Sequence, residues 1–164
     1  MHAYGADHVR LKWPNDLVCG GAKLGGLLIE VRGEAAGRAR ATVGVGLNYA
    51  PLDGATWAEA TSGERVALTE LLAEPPTRQA LAGAAMATVV RDMARFNAAG
   101  LAPFRARWAA LDMLRDRPVR VFDAAQVVHG RARGIATDGA LRLESPTGEW
   151  RNVYSGEVSI RPQS

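Results

Sequence analysis

The sequence predicts an α+β protein, in which a partial mixed or antiparallel sheet with helices is followed by a small β-barrel. Short strand-like segments separated by glycine turns occupy the first fifty residues, and a long segment with helical apolar spacing follows. From Pro118 onwards, five short strands fall within fifty residues, which is typical of a small barrel. We therefore place the domain boundary at residues 115–118, giving a first domain over 1–115 and a second over 116–164.

Four strands are predicted in the first domain, at residues 8–13, 17–19, 23–31 and 42–49. The first ends at Pro14, and Gly20-Gly21 forms a tight connection between the second and third. The third is rich in Leu and Ile, so we expect it to be buried. In the fourth, Val43, Val45 and Leu47 share one face, and Gly44 and Gly46 leave bare backbone on the other.

Three helices are predicted between the strand regions. Residues 64–73 contain a short helix, and a loop over 50–63 precedes it. A long helix begins after Thr77 and continues to about Asn97, because six apolar residues fall on one stripe: Leu81, Met86, Val89, Val90, Met93 and Phe96. Gly100 ends it, and a third helix spans Pro103 to Leu111.

The second domain contains the predicted barrel strands. They are separated by turn residues such as Asp138-Gly139 and Ser155-Gly156, and they lie at residues 119–122, 127–136, 141–144, 150–154 and 157–161.

Composition excludes several classes of protein. The net charge is +3 and the pI about 9.5, but acidic and basic residues are interleaved, so no nucleic-acid partner is predicted for this segment. A single cysteine, Cys19, allows no internal disulfide and favours the cytoplasm. No signal peptide or membrane-spanning run is apparent, so no membrane association is predicted.

Two segments contain residues suited to ligand chemistry. Lys12-Trp13-Pro14-Asn15-Asp16 places two polar side chains at a strand tip, because Pro14 fixes the backbone there. Lys23 precedes Gly25 and Gly26. Because glycine has no side chain, a carboxylate or phosphate could approach the backbone closely there. Taken alone, each segment favours the structural interpretation: a hairpin turn with a structural tryptophan in the first case, and a solvated hairpin lysine in the second.

A third segment, Gly44-x-Gly46-x-Asn48, lacks the third glycine and the helix of a dinucleotide site. Its bare face suits a flat ligand, and the Asn48 amide, both donor and acceptor, could read the edge of a base.

The order and spacing of these segments resemble the biotin protein ligases. That family has Lys-Trp-Pro-Asn-Asp, then Lys-x-x-Gly before an apolar run ending in Glu, then a Gly-x-Gly-x-Asn strand. Later features also match: Leu101, Phe104 and Trp108 in the helices, and Gly156-Glu157-Val158-Ser159 near the end. The resemblance covers nearly the whole chain. It implies a class II synthetase-like catalytic domain followed by an SH3-like barrel.

The resemblance also implies residue roles in joining biotin to a carrier-protein lysine through biotinyl-5′-AMP. Lys23, Asp16 and Asn15 match catalytic positions near the phosphates. Other positions match the biotin pocket (Lys23, Gly25, Gly26 and Leu27) and the nucleotide side (Lys12, Asn48, Arg161 and, more weakly, Glu157). The implied ligands are ATP, Mg²⁺ and biotin, and the implied partner is a biotin carboxyl carrier protein. No residue is assigned as a metal ligand.

The family's Gly-Arg-rich loop and biotin-ring residues lie upstream of Lys-Trp-Pro-Asn-Asp, where this chain has only eleven residues. The resemblance therefore implies an N-terminally truncated catalytic domain with exposed apolar surface, for which we expect self-association. Activity of the chain alone is left open, as is a homodimer. Two alternatives are a non-catalytic, partial nucleotide-binding module and a relative of the lipoate ligases.

Overall fold

The computed structural model describes residues 4–33, 39–51, 64–123, 126–154 and 159–162. The chain forms two compact units: the first comprises Met1–Arg10 and Asn15–Arg78, and the second Leu11–Pro14 and Gln79–Ser164. Helices and antiparallel sheets occur together, which confirms the predicted α+β class. The domain boundary at residues 115–118 stays a prediction.

The first unit is built around antiparallel strands. Strand β1 (Arg10–Lys12) crosses from this unit into the second, and β2, β3 and β4 are successive antiparallel neighbours. A turn at Gly20-Gly21, where both glycines have positive φ, joins β2 to β3 as predicted. The other elements of the first unit are strands β2 (Asp16–Cys19), β3 (Ala22–Gly33) and β4 (Ala39–Leu47) and helix α1 (Leu68–Leu71).

The expectation that the third strand is buried is wrong for most of its length. Only Leu24 and Gly25 of β3 are buried, whereas Leu28, Ile29 and Val31 are 58–65% exposed. An apolar run indicates burial only where another element covers the strand, and this part of β3 is open to solvent. The predicted loop over 50–63 lies mostly outside the described residues.

Two further helices lie in the second unit, apart from Arg78, which belongs to the first. Helix α2 spans Arg78–Ala99 and ends as predicted at Gly100, which has φ +59° and whose N–H donates to the Phe96 carbonyl at 2.7 Å. A 3₁₀ turn at Ala102–Phe104 leads into helix α3 (Arg105–Leu111). No described helix is long and apolar enough to cross a membrane.

Five antiparallel strands follow, as the sequence predicts. They pair in the order β8-β7-β6-β5-β9, and their bounds are β5 Pro118–Asp123, β6 Gln126–Ile135, β7 Leu141–Glu144, β8 Trp150–Val153 and β9 Ser159–Pro162. The buried core of this unit consists of apolar side chains from four of the strands together with Leu114 and Trp13.

Trp13 is the largest member of that core, with only 4% of its surface exposed. Its indole Nε1–H donates to the Gly139 carbonyl at 3.0 Å, which satisfies the one polar group that the ring would otherwise bury. Gly139 sits in the predicted Asp138-Gly139 turn with φ +89°. The tryptophan of the Lys-Trp-Pro-Asn-Asp segment therefore has a structural role in the second unit.

Candidate functional site

Lys23 and Asp16 form an ion pair on adjacent strands of the first unit. The Lys23 Nζ lies 2.5 Å from Asp16 Oδ1, and the two side chains are 44% and 23% exposed. A register shift in β2 between Leu17 and Val18 accompanies this arrangement, since Val18 pairs with Lys23 while Asp16 pairs with Gly26. The ammonium and the carboxylate thus meet at a surface that a ligand can reach.

Glycines keep the backbone bare beside this pair. Asp16, Gly26 and Gly46 are aligned across three strands by the β2–β3 and β3–β4 registers. A Cβ atom at Gly26 would lie 3.1 Å from Asp16 Oδ1 and 3.6 Å from Lys23 Cε. A side chain there would therefore press on the ion pair, so glycine leaves the space that the pair occupies.

Gly25 has a different environment from Gly26. It is buried, and a Cβ atom at this position would collide with the Gly46 carbonyl oxygen and lie 3.2 Å from Leu47 Cα. Because both obstacles are backbone atoms, glycine at position 25 is required for close approach of β3 and β4.

Asn15 holds the strand tip against β3. Its Nδ2 donates to the Leu27 carbonyl, and the Leu27 N–H donates back to the Asn15 carbonyl at 2.9 Å. This reciprocal pair anchors the residue next to Asp16. Leu27 thus contacts Asn15 through its backbone N–H and carbonyl groups.

Asn48 connects Lys23 to the segment before α1. Its Nδ2 donates to the Lys23 carbonyl at 2.9 Å and to the Val66 carbonyl at 3.3 Å. Its own carbonyl accepts from the Leu68 N–H at 2.8 Å. Asn48 therefore positions the Lys23 backbone, a function that the sequence did not reveal.

The segment at residues 64–66 was missed by sequence reasoning. The Lys23 N–H donates to the Glu64 carbonyl at 2.8 Å, and the Val66 N–H donates to the Lys23 carbonyl at 3.1 Å. Both bonds involve backbone atoms alone, so the side chains at 64–66 contain no pattern that could have predicted them.

The other predicted residues are placed as follows. Lys12 lies in β1 within the second unit. Arg161 lies in β9, where its backbone is paired with Arg120 of β5. Glu157 and the Gly156-Glu157-Val158 part of the C-terminal segment lie outside the described residues. Among the described residues, no group of three or more His, Cys, Asp or Glu could hold a metal ion.

The residue type at position 23 is informative. The chain has eighteen arginines and only two lysines, Lys12 and Lys23. An ammonium is a compact charge with three donors, whereas a guanidinium is a wide planar fork. Position 23 therefore carries a compact cation in a chain whose other basic side chains are almost all arginines.

Two family models match the chain. Residues 2–48 match the biotin/lipoate A/B protein ligase family, and residues 116–161 match the biotin protein ligase C-terminal domain.

Curated relatives match over most of the chain. The bifunctional ligase/repressor BirA is 34% identical in Salmonella typhimurium and 33% identical in Escherichia coli, each over 98% of the chain and 49% of the relative. The biotin–[acetyl-CoA-carboxylase] ligase of Paracoccus denitrificans is 31% identical over 87% of the chain and 60% of the relative. The chain thus spans about half the length of the BirA proteins that it matches.

Solved structures share the fold. The apo biotin protein ligase of Aquifex aeolicus matches 94% of this chain and 66% of its own length, with a TM-score of 0.77 and 19% identity. The same enzyme in complex with biotin and ATP matches 94% of this chain and 62% of its own, with a TM-score of 0.76.

Proposed function

The chain belongs to the biotin protein ligase family, and we propose that it serves the ATP-dependent joining of biotin to a lysine of a biotin carboxyl carrier protein. The proposed intermediate is biotinyl-5′-AMP. The Lys23–Asp16 pair beside Gly26 supports this proposal most directly, because it presents a compact cation on bare backbone.

Adenylation brings two anions together, since the biotin carboxylate must attack the α-phosphorus of ATP. The Lys23 ammonium would offset this repulsion and stabilise the charge that develops in the transition state. Asp16 contacts Lys23 and would keep the ammonium oriented before ligands bind. Mg²⁺, which commonly binds through phosphates and one or two carboxylates, would neutralise further phosphate charge.

The remaining site residues are proposed for roles consistent with their contacts. Gly25, Gly26 and Leu27 are proposed to line the biotin side, with Asn15 bracing Leu27. For Asn48, Nδ2 donates to two backbone carbonyls, so Oδ1 is the atom proposed to accept from an adenine amino group. Lys12 and Arg161 are proposed for the nucleotide side.

Biotin is favoured over lipoate as the substrate. The match over residues 2–48 is to a family that includes both classes of ligase, but the match over residues 116–161 is to the biotin protein ligase C-terminal domain. A non-catalytic nucleotide-binding module is the second candidate function, because the chain spans only about half the length of the BirA relatives.

The test is transfer of labelled biotin to a purified carrier domain by the chain with ATP and Mg²⁺, with Lys23→Ala as the central variant. Whether the chain transfers biotin alone or only when the upstream segment is added, we expect the active protein to lose about a hundredfold or more of its ATP-dependent transfer in Lys23→Ala, the effect of removing one transition-state contact. Lys23→Arg should recover little, because the guanidinium is wider than the ammonium. Arg91→Ala, an exposed cation on α2, is the matched control and should retain activity.

Transfer that is unaffected by Lys23→Ala would contradict the assigned role. Equal transfer of lipoate would contradict the substrate. Binding of ATP without any biotinyl-AMP formation would favour the non-catalytic module.

A further inference from the structure

Four arginines line one cavity in the second unit. The cavity has a volume of about 370 Å³, and Arg105, Arg115, Arg133 and Arg142 surround it. This volume is within the range of small-molecule sites. None of the residues assigned to biotin or ATP lines it.

The cavity has an excess of positive charge. Arg133 is neutralised, since its Nη1 lies 2.5 Å from Asp116 Oδ1 and its Nε lies 2.6 Å from Glu144 Oε2. Arg115 is 3.8 Å from the same Asp116. Four guanidinium groups thus share two carboxylates. Among the described residues, Arg105 and Arg142 have no carboxylate partner.

Arg142 is held in place without using its hydrogen-bond donors. Its guanidinium carbon lies 4.3 Å from the centroid of the Trp150 ring. Contact of this kind occupies the face of the guanidinium, so the N–H groups in its plane stay available for an anion. A preorganised guanidinium loses less entropy when a phosphate or carboxylate binds.

Gly134 and Ile135 also line the cavity. Gly134 is buried with φ +79°, and a Cβ atom there would lie 3.8 Å from Arg115 Nη1. Ile135 is also buried and places apolar surface beside the guanidinium groups. Arg105 and Arg115 are exposed and Arg133 and Arg142 are half-buried, so an anion can reach all four guanidinium groups from solvent.

We propose that the arginine cavity binds a small polyanion with at least two phosphate or carboxylate groups. Guanidinium groups pair with both kinds of oxyanion in a bidentate geometry. One group of the ligand would contact Arg142 and Arg105, and another Arg115. This site is separate in its residues from the proposed ligase chemistry and does not depend on it.

The test is calorimetric titration of the full chain with two probes, inorganic pyrophosphate and citrate, at about 0.15 M salt. The titrations use Lys23→Ala protein, so that pyrophosphate cannot bind through the Lys23 site. We expect saturable binding with one site per chain for at least one probe. Binding of pyrophosphate alone would identify phosphate as the ligand group, and binding of citrate alone would identify carboxylate.

The decisive variant is Arg105→Gln with Arg142→Gln, which should weaken binding about tenfold or more. Arg107→Gln, on the same helix but outside the cavity lining, is the matched control and should change binding less than about twofold. Arg142→Lys preserves the charge but not the planar fork and should weaken binding to an intermediate extent. Circular dichroism verifies that each variant is folded.

The proposal is overturned if neither probe gives saturable heat up to about 10 mM. It is also overturned if the double variant binds as the parent does. An equal loss of affinity in Arg107→Gln would show that binding depends only on the overall charge of the protein. That result would also reject the site.

Discussion

Lys23 and Asp16 stay partly open to solvent although their charged atoms are 2.5 Å apart. Ion pairs of this exposure contribute only about 0–1 kcal/mol to stability, because water screens the charges and ordering two side chains costs entropy. The pair therefore adds little to the stability of the fold, which is consistent with the ligand-binding role proposed for Lys23. Asn48 and Asn15 differ, since their Nδ2 groups already donate to backbone carbonyls and only their Oδ1 atoms are left for a ligand.

Asp112 provides a residue-level prediction for pH dependence. Burial raises the pKa of its carboxyl, although the Leu114 N–H donates to Oδ1 at 2.9 Å. Among the described residues, Asp112 Oδ2 is buried without a hydrogen-bond partner. Below about pH 4 the folded and unfolded states are both protonated. As the pH rises through the folded-state pKa, the native protein must ionise a half-buried group and loses stability.

We therefore expect Asp112→Asn to gain stability relative to the parent as the pH rises from 4 to 7, measured by urea unfolding. Asp138→Asn is a control for which we expect the opposite change in stability with pH. The Ala140 N–H lowers the pKa of Asp138, so there the parent gains stability as the pH rises. Identical pH profiles for the parent and Asp112→Asn would contradict the burial argument.

At the level of elements, the approach of β3 to β4 depends on Gly25. A side chain at this position meets the backbone of Gly46 and Leu47, which cannot rotate away. We expect Gly25→Ala to lower the free energy of unfolding by about 1–3 kcal/mol through overpacking. Chemical denaturation measures this change in the free energy of unfolding.

Gly44→Ala, in the neighbouring strand, is the matched control. The added Cβ would lie 3.6 Å from the Leu28 carbonyl oxygen, an ordinary contact, so we expect a change within about 0.5 kcal/mol. Equal losses in both variants would show that glycine flexibility, not close approach, determines the effect.

The second element-level prediction concerns Trp13 and the five-stranded sheet of the second unit. Trp13→Ala removes a buried ring from the core and should cost about 3–5 kcal/mol. Trp13→Phe retains most of the apolar contact but leaves the Gly139 carbonyl without its donor, so a smaller loss is expected. Thermal unfolding compares these variants.

Trp150→Ala tests the same substitution at an exposed position. Trp150 is 55% exposed, so its removal should cost far less than that of Trp13. A loss as large as that of Trp13→Ala would contradict the assignment of Trp13 to the core.

At the scale of the whole molecule, many large apolar side chains of the described residues are exposed. Ile29, Val31 and Val45 lie on one face of β3–β4, and α2 has no buried residue although Met86 and Val90 are on its apolar stripe. Monomeric proteins rarely expose large apolar patches. We expect self-association that increases with concentration in sedimentation velocity experiments.

Ile29→Lys with Val31→Lys should reduce this association, because charge on the exposed β3 face opposes pairing. Glu30→Lys, whose side chain points to the opposite face, is the control for added positive charge and should have little effect. A stable monomer at all concentrations, with high thermal stability, would refute the prediction.

Local patterns predicted most of the described helices and strands. The roles of the candidate site residues came from the family resemblance and stay predictions. Strand β7 has the predicted bounds, Gly100 ends α2, and Gly20-Gly21 forms the predicted turn. These features depend on backbone preferences that act over a few residues. Motif order and spacing were sufficient to indicate the family that the comparisons then confirmed.

The sequence by itself thus determined the fold class, the order of elements, the family and the two lysine-containing segments. Only the tertiary structure decided which partners these residues have. Trp13 bonds to a carbonyl 126 residues away, Asn48 supports the Lys23 backbone, and most of β3 is exposed despite its apolar run. The physical reason is that burial and long-range hydrogen bonds depend on which element covers which face. Secondary-structure propensity, in contrast, reflects only residues that are close together in the sequence.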